Sequence, residues 1–209
     1  MNKRILILGA TGRLGKVIVS QLLDDGYKVT VLVRNPQKIQ IAHSNLKVQI
    51  GEVTSSHDLE SALKGVGAVI SVLGHGFRTP YPIQEKTIKA LIPEMKKAGI
   101  DRFVAVTGSD LYVEGDSDTL ISKFQRFSLS SIDSYRIQDS ISQQKLLEES
   151  GLDWTIVRTP VHSNGVKRKP VVTQKKPYIW QTIPRLTISE FIKECLKNGL
   201  YVRKFPIIV

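Results

Sequence analysis

The chain has 209 residues, enough for one α/β domain that buries a full core, and its single cysteine, Cys195, excludes a disulfide framework and a cysteine metal cluster. No apolar run is long enough to span a bilayer and no secretory leader precedes the first strand, so a soluble, cytoplasmic protein with no membrane partner is expected. Of the net charge of +11, +8 lies in residues 161–209, from Lys167-Arg168-Lys169 and Lys175-Lys176 onward. That region is read as lacking interleaved aromatics or a nucleic-acid module, so a solvated or anion-facing surface is expected rather than a DNA site.

The apolar run Ile5-Leu6-Ile7-Leu8 enters Gly9-Ala10-Thr11-Gly12-Arg13-Leu14-Gly15 and then a helix with Val17-Ile18-Val19 and Leu22-Leu23 on one face. Strand, glycine turn and helix in that order make a dinucleotide-binding opening. One glycine permits the turn, one lets the backbone approach a pyrophosphate, and one lets the helix lie close to the strand. The helix start directs its unsatisfied N–H groups and positive dipole end at phosphates.

Further along, Gly26 closes that helix, Lys28 to Val33 reads as a second strand and Leu46 to Ile50 as a third. Ser56 is expected to cap a helix carrying Leu59, Ala62 and Leu63, which ends near Gly65. Ala68 to Leu73 has the continuous apolar character of a buried parallel strand, and Ile83 to Lys97 reads as a helix kinked at Pro93. Phe103 to Val106, a helix over Ser134 to Glu149, and Trp154 to Val157 follow. A last helix over Ser189 to Lys197 leads to Tyr201 to Val209, an expected edge strand.

This alternation implies a single doubly wound, Rossmann-type α/β domain over residues 1–209 with a mainly parallel sheet, ligands at the carboxyl ends of the strands, and a small substrate-side portion at about 161–209. Residues 110–131 are the least regular segment, either a lid or an ordinary insertion. A monomer is the expected state, with a homodimer open.

Where folds that prefer NAD place a carboxylate after the second strand, this chain has Arg34, with Lys38 close behind. A guanidinium matches a 2′-phosphate that a carboxylate would repel, and Arg13 adds positive charge in the turn. The residues therefore point to NADP(H) in preference to NAD(H), unless Arg34 is simply a surface arginine.

With Gly9-Ala10-Thr11-Gly12, Val31-Leu32-Val33-Arg34, Gly51-Glu52-Val53, Val72-Leu73-Gly74 and Ser150-Gly151-Leu152-Asp153-Trp154-Thr155-Ile156-Val157-Arg158 in place, nearly the whole chain resembles the atypical short-chain dehydrogenase/reductases. The resemblance is to their NAD(P)H-binding, NmrA-like branch and, within it, to the flavin reductase/biliverdin-IXβ reductase proteins. It implies that Glu52, where members usually have Asp, accepts from the adenine amino group beside Val53. It also implies that Leu73 and Gly74 run along the adenosine ribose and phosphates. Thr107 and Ser109 would meet the nicotinamide side, and Pro160 and Val161 would border the ring.

The Tyr-x-x-x-Lys pair of ordinary members is missing, since none of the six tyrosines has lysine four residues on. Tyr135 is followed by Asp139, and the family's usual lysine register falls on Ser140. Two readings follow. In one, the protein passes a hydride from NADPH to a flavin, quinone or similar conjugated small-molecule acceptor, which needs positioning and a proton that solvent can supply. In the other, it binds NADP(H) without catalysis, as a redox sensor or regulator of NmrA-like type, with the basic C-terminal quarter as a docking face. His162 is the local acid candidate, its imidazole class suited to proton donation near neutral pH, or it is a surface or capping histidine. Ser109 either bonds a substrate oxygen or satisfies backbone, and His75 is open to the same two readings as His162 or instead touches the cofactor phosphates.

Overall fold

A computed structural model describes residues 4–74, 81–111, 113, 116, 134–178 and 180–209; His75 and most of 110–131 lie outside these. Among the described residues the strands are β1 (Arg4–Leu8), β2 (Val29–Val33), β3 (Leu46–Ile50), β4 (Val66–Ser71), β5 (Arg102–Gly108), β6 (Asp153–Thr159), β7 (Val161–Ser163), β8 (Val172–Thr173), β9 (Thr182–Pro184) and β10 (Ile207–Ile208). The helices are α1 (Arg13–Asp24), α2 (Ser56–Ala62), α3 (Ile83–Lys97), α4 (Ser134–Glu148) and α5 (Arg185–Asn198).

Eight strands form one sheet in the order β3-β2-β1-β4-β5-β6-β10-β8, parallel except for the β10–β8 pair. The alternation of strand side chains decides the layers. Ile5 and Ile7 of β1 face a core built with Ile18 and Leu22 of α1 and Ile188 and Ile192 of α5. Leu6 and Leu8 face the other way, into a core with Leu59 of α2 and Ile88, Leu91 and Met95 of α3. After β3 the chain returns to the other side of β1, and this reversal opens a crevice at the carboxyl ends of β1 and β4.

Several boundaries differ from the sequence expectation. Ser55, not Ser56, is the N-cap of α2; its Oγ accepts the Asp58 N–H at 3.3 Å. β4 starts two residues earlier than expected and ends at Ser71, so Leu73 lies in the loop beyond it. Helix α3 continues through Pro93, and α5 begins at Arg185, four residues ahead of the expected Ser189. The final segment is not an edge strand: β10 inserts between β6 and β8, with Ile207 and Ile208 fully buried. Apolar periodicity could not reveal this, because a two-residue strand carries almost none. The short parallel pair β7–β9 was equally invisible within the basic, proline-containing 161–184 stretch.

Candidate active site

The turn after β1 has the geometry the glycines imply. Gly9 has φ of +88°, and a Cβ there would stand 2.8 Å from the Val72 carbonyl oxygen. A Cβ on Gly15 would run into the Gly9 carbonyl, so this third glycine lets α1 lie directly against the turn. Gly12 caps α1 without a side-chain bond, and no acidic residue occupies the first helical turn. An uncapped, positively polarised helix start on a crevice fits the pyrophosphate of a dinucleotide.

A cavity of about 840 Å³ opens there. Its walls bring together Gly12, Arg13 and Leu14 with Leu73 and Gly74 from the exit of β4. Thr107 and Ser109 from β5, and Pro160, Val161 and His162 beyond β6, complete the sequence-selected part. Gly9, Thr11, Arg34, Lys38, Glu52 and Val53 do not line it. Arg34 is exposed immediately after β2, and Lys38 is exposed in the single 3-10 turn Pro36–Lys38 that Asn35 caps. Glu52 is exposed, and its N–H donates to Asp58 Oδ2 at 2.9 Å. Val53 packs on the core beside α2 and α3.

Ser109 donates its N–H to the Thr159 carbonyl at 2.9 Å, joining the ends of β5 and β6. The Thr107 hydroxyl donates to Ser140 Oγ at 3.1 Å, and Ser140 donates to Gln84 Oε1 at 3.1 Å. Gln84 in turn donates from Nε2 to the Leu73 carbonyl at 3.1 Å. Ser140, at the register of the family's lysine, is thus part of a buried hydroxyl–amide chain along the cavity wall, while Tyr135 is 66% exposed and outside the lining. His162 Nε2 lies 2.8 Å from Thr159 Oγ1. Burial first, then the charges of Arg185 and Arg13, push its pKa down to about 4. The imidazole is therefore neutral at neutral pH, which overturns the expectation of a group titrating there.

Sequence reasoning noted Lys176 only as part of a basic surface and passed over Gln84, Asp110, Arg136, Tyr178 and Arg185 on the remaining wall. Arg136 meets Asp110 at 2.9 Å. Tyr178 stacks on Trp180 with ring centroids 4.8 Å apart and planes 3° from parallel. The basic quarter thus does hold aromatics, directly after Lys175-Lys176. For Arg185 the available sequence signal was Pro184-Arg185, a proline followed by a helix start.

Comparison with known proteins agrees with this geometry. The NAD(P)H-binding family profile matches residues 9–199. The photosystem II assembly factor Ycf39 of Cyanophora paradoxa is 31% identical over 194 residues, covering 88% of this chain and 54% of that protein, so the chain spans about half of that relative's length. An uncharacterized chloroplastic protein of Arabidopsis thaliana is 26% identical over 205 residues, 93% of this chain and 72% of that one. In fold, the chain is similar to a short-chain dehydrogenase/reductase of Veillonella parvula solved with NADP, with TM-score 0.81, 18% identity, and 100% and 94% of the two chains covered. It is also similar to ChuY of Escherichia coli O157:H7, described as an anaerobilin reductase, with TM-score 0.80, 17% identity, and 99% and 96% covered. No helix among the described residues is long and apolar enough to cross a membrane. The chain belongs to the NAD(P)H-binding family and carries it on a short-chain dehydrogenase/reductase fold.

Proposed function

We propose that the protein is an NADPH-dependent reductase of a flavin, quinone or similar conjugated small-molecule acceptor. The carrying observation is the 840 Å³ cavity, which runs from the uncapped start of α1 to the Thr159–His162 wall and the Tyr178 ring. That volume is in the range of small-molecule and cofactor sites, and its far wall would face an acceptor next to the reacting ring of the cofactor. Bound NADPH supplies the hydride.

The chain's own share is positional. Gly12, Arg13, Leu14 and the Leu73-Gly74 loop would hold the phosphates and ribose, and Pro160 and Val161 would border the reacting ring. Arg34, with Lys38, would select the 2′-phosphate and so NADP(H) over NAD(H). A neutral His162 bonded to Thr159 supplies a polar, uncharged wall, and water supplies the proton that accompanies the hydride. An acceptor whose reduced form is stabilised by conjugation needs no stronger acid. The proposed setting is a cytoplasmic, monomeric protein acting on a small molecule, without nucleic acid.

The test is NADPH oxidation with a panel of FMN, riboflavin, quinones and linear tetrapyrroles. Oxidation coupled to reduction of one acceptor class is expected. Tight NADPH binding with no oxidation by any acceptor sinks the reductase reading and leaves the sensor, which the missing Tyr-x-x-x-Lys pair favours.

A further inference from the structure

A buried cation lines the cavity with no anion beside it among the described residues. Arg185, the first residue of α5, is 7% exposed. Its terminal nitrogens donate to neutral acceptors, Nη1 to Asn164 Oδ1 and Nη2 to the His162 carbonyl at 3.2 Å. Its Nε is buried and makes no hydrogen bond. Among the described residues no carboxylate lies within ion-pair distance of it. Arg136 and Lys176, on the same walls, meet Asp110 at 2.9 Å and Asp116 at 3.8 Å.

Removing a guanidinium from water costs more than two neutral hydrogen bonds return, so a buried arginine is ordinarily paired with an anion. The surroundings here add positive potential. Pro184 starts α5 with no side-chain cap, and its first turn holds no acid, so the helix dipole points the same sign at Arg185. The depressed pKa of the adjoining His162 reports that potential, because Arg185 and Arg13 both contribute to it after burial.

We propose that Arg185 and the first turn of α5 form an anion subsite that takes a carboxylate or phosphate carried by the acceptor, distinct from the α1 turn that would take the cofactor's pyrophosphate. The identity of the ligand rests on the reductase reading; the existence of the subsite does not. An acceptor with an anionic arm supplies the missing counter-charge, and a neutral analogue leaves the guanidinium as uncompensated as before.

The test uses inorganic phosphate and citrate as probes on the full chain, followed by NMR of the Arg185 Nε–H and the His162 ring nitrogens. In protein saturated with NADP+, both probes are expected to shift these signals saturably. Arg185→Gln should abolish the His162 response, and Arg185→Lys should weaken binding by about tenfold while retaining it, since lysine keeps the charge but loses the planar fork. Unmoved signals in the NADP+-loaded protein overturn the proposal. So does a response in cofactor-free protein that NADP+ abolishes, because the arginine then belongs to the cofactor's own phosphates. The wild-type reading needs no variant, so a substitution that fails to fold leaves the test intact. Failure of every acceptor to oxidise NADPH would remove the reductase reading alone, and an absent phosphate response would remove the subsite alone.

Discussion

The carboxylate of Asp139, on α4, accepts the backbone N–H groups of Gln84 at 2.9 Å and Glu85 at 2.7 Å and so caps α3 from more than fifty residues away. The residue before that helix is Pro82, which provides no side-chain cap of its own. Asp139 is 2% and Gln84 4% exposed, so without the carboxylate the Gln84 N–H would be buried without a partner and the half-buried Glu85 N–H would lose its own. The position four residues after Tyr135 therefore holds a structural cap, and its neighbour Ser140 bonds Gln84 on the cavity wall. Replacing Asp139 with Ala should lower unfolding stability by about 2 kcal/mol, by the cost of orphaned buried donors. Asn, which keeps one acceptor oxygen, should recover part of it. Chemical denaturation decides; an unchanged midpoint for the Ala variant would show that the cap is idle.

Gly15→Ala tests the close approach of α1 to the turn. The added methyl meets the Gly9 carbonyl backbone, which cannot yield as a flexible side chain could. The expected loss is about 2 kcal/mol or more of stability, together with at least tenfold weaker NADPH binding by fluorescence titration, since the helix start must move. Gly26→Ala is the control. Gly26, unlike the helical Gly15, is at positive φ, but nothing lies within 4 Å of its added Cβ, so it should lose stability through backbone strain alone and keep its cofactor affinity.

Arg34 is exposed after β2 and lies outside the cavity walls, where it can engage only a ligand group reaching past them. Arg34→Glu should weaken NADPH binding by at least about tenfold, by loss of a charge-assisted contact and gain of repulsion, and leave NADH binding within about twofold. Equal effects on the two nucleotides would refute the NADP preference.

His162 makes stability depend on pH. Its ordinary pKa of 6.5 applies when the chain is unfolded, and burial with the Arg185 and Arg13 charges brings it to about 4 in the fold. The unfolded state thus holds the proton more tightly, so stability falls as pH drops through the 6.5 to 4 window and is unaffected by this group above it. The full swing is on the order of 3 kcal/mol. His162→Leu should flatten this part of the stability–pH curve relative to wild type, and a curve of the same slope would contradict the half-buried neutral imidazole. NADP+ binding, by neutralising Arg13, should raise the His162 pKa measured by NMR.

Asp116 and Arg158 form a bidentate pair at 2.6 and 2.8 Å, both nearly buried. Burial works to raise the Asp116 pKa, but the Arg158 bonds and the Val113 N–H outweigh it and hold the carboxyl below its ordinary value. Asp116→Asn should cost about 3–5 kcal/mol by leaving the guanidinium uncompensated. Adding Arg158→Met should restore much of that loss in thermal unfolding. Additive losses would show that the two residues are not coupled.

The sequence by itself determined the dinucleotide turn, the parallel strands and the missing Tyr-x-x-x-Lys pair, because each is written in residues close together along the chain. Glycines at fixed spacing, apolar runs and a four-residue register need no partner to be recognised. The tertiary structure alone decided what surrounds the cofactor turn. The Asp139 cap on α3, the insertion of β10 between β6 and β8, the neutral state of His162 and the burial of Arg185 away from every described carboxylate all depend on how the chain comes together once the sheet has closed. Burial and Coulomb interaction act through space, and a histidine or arginine has the same letter in the sequence whether it ends in water or against another cation.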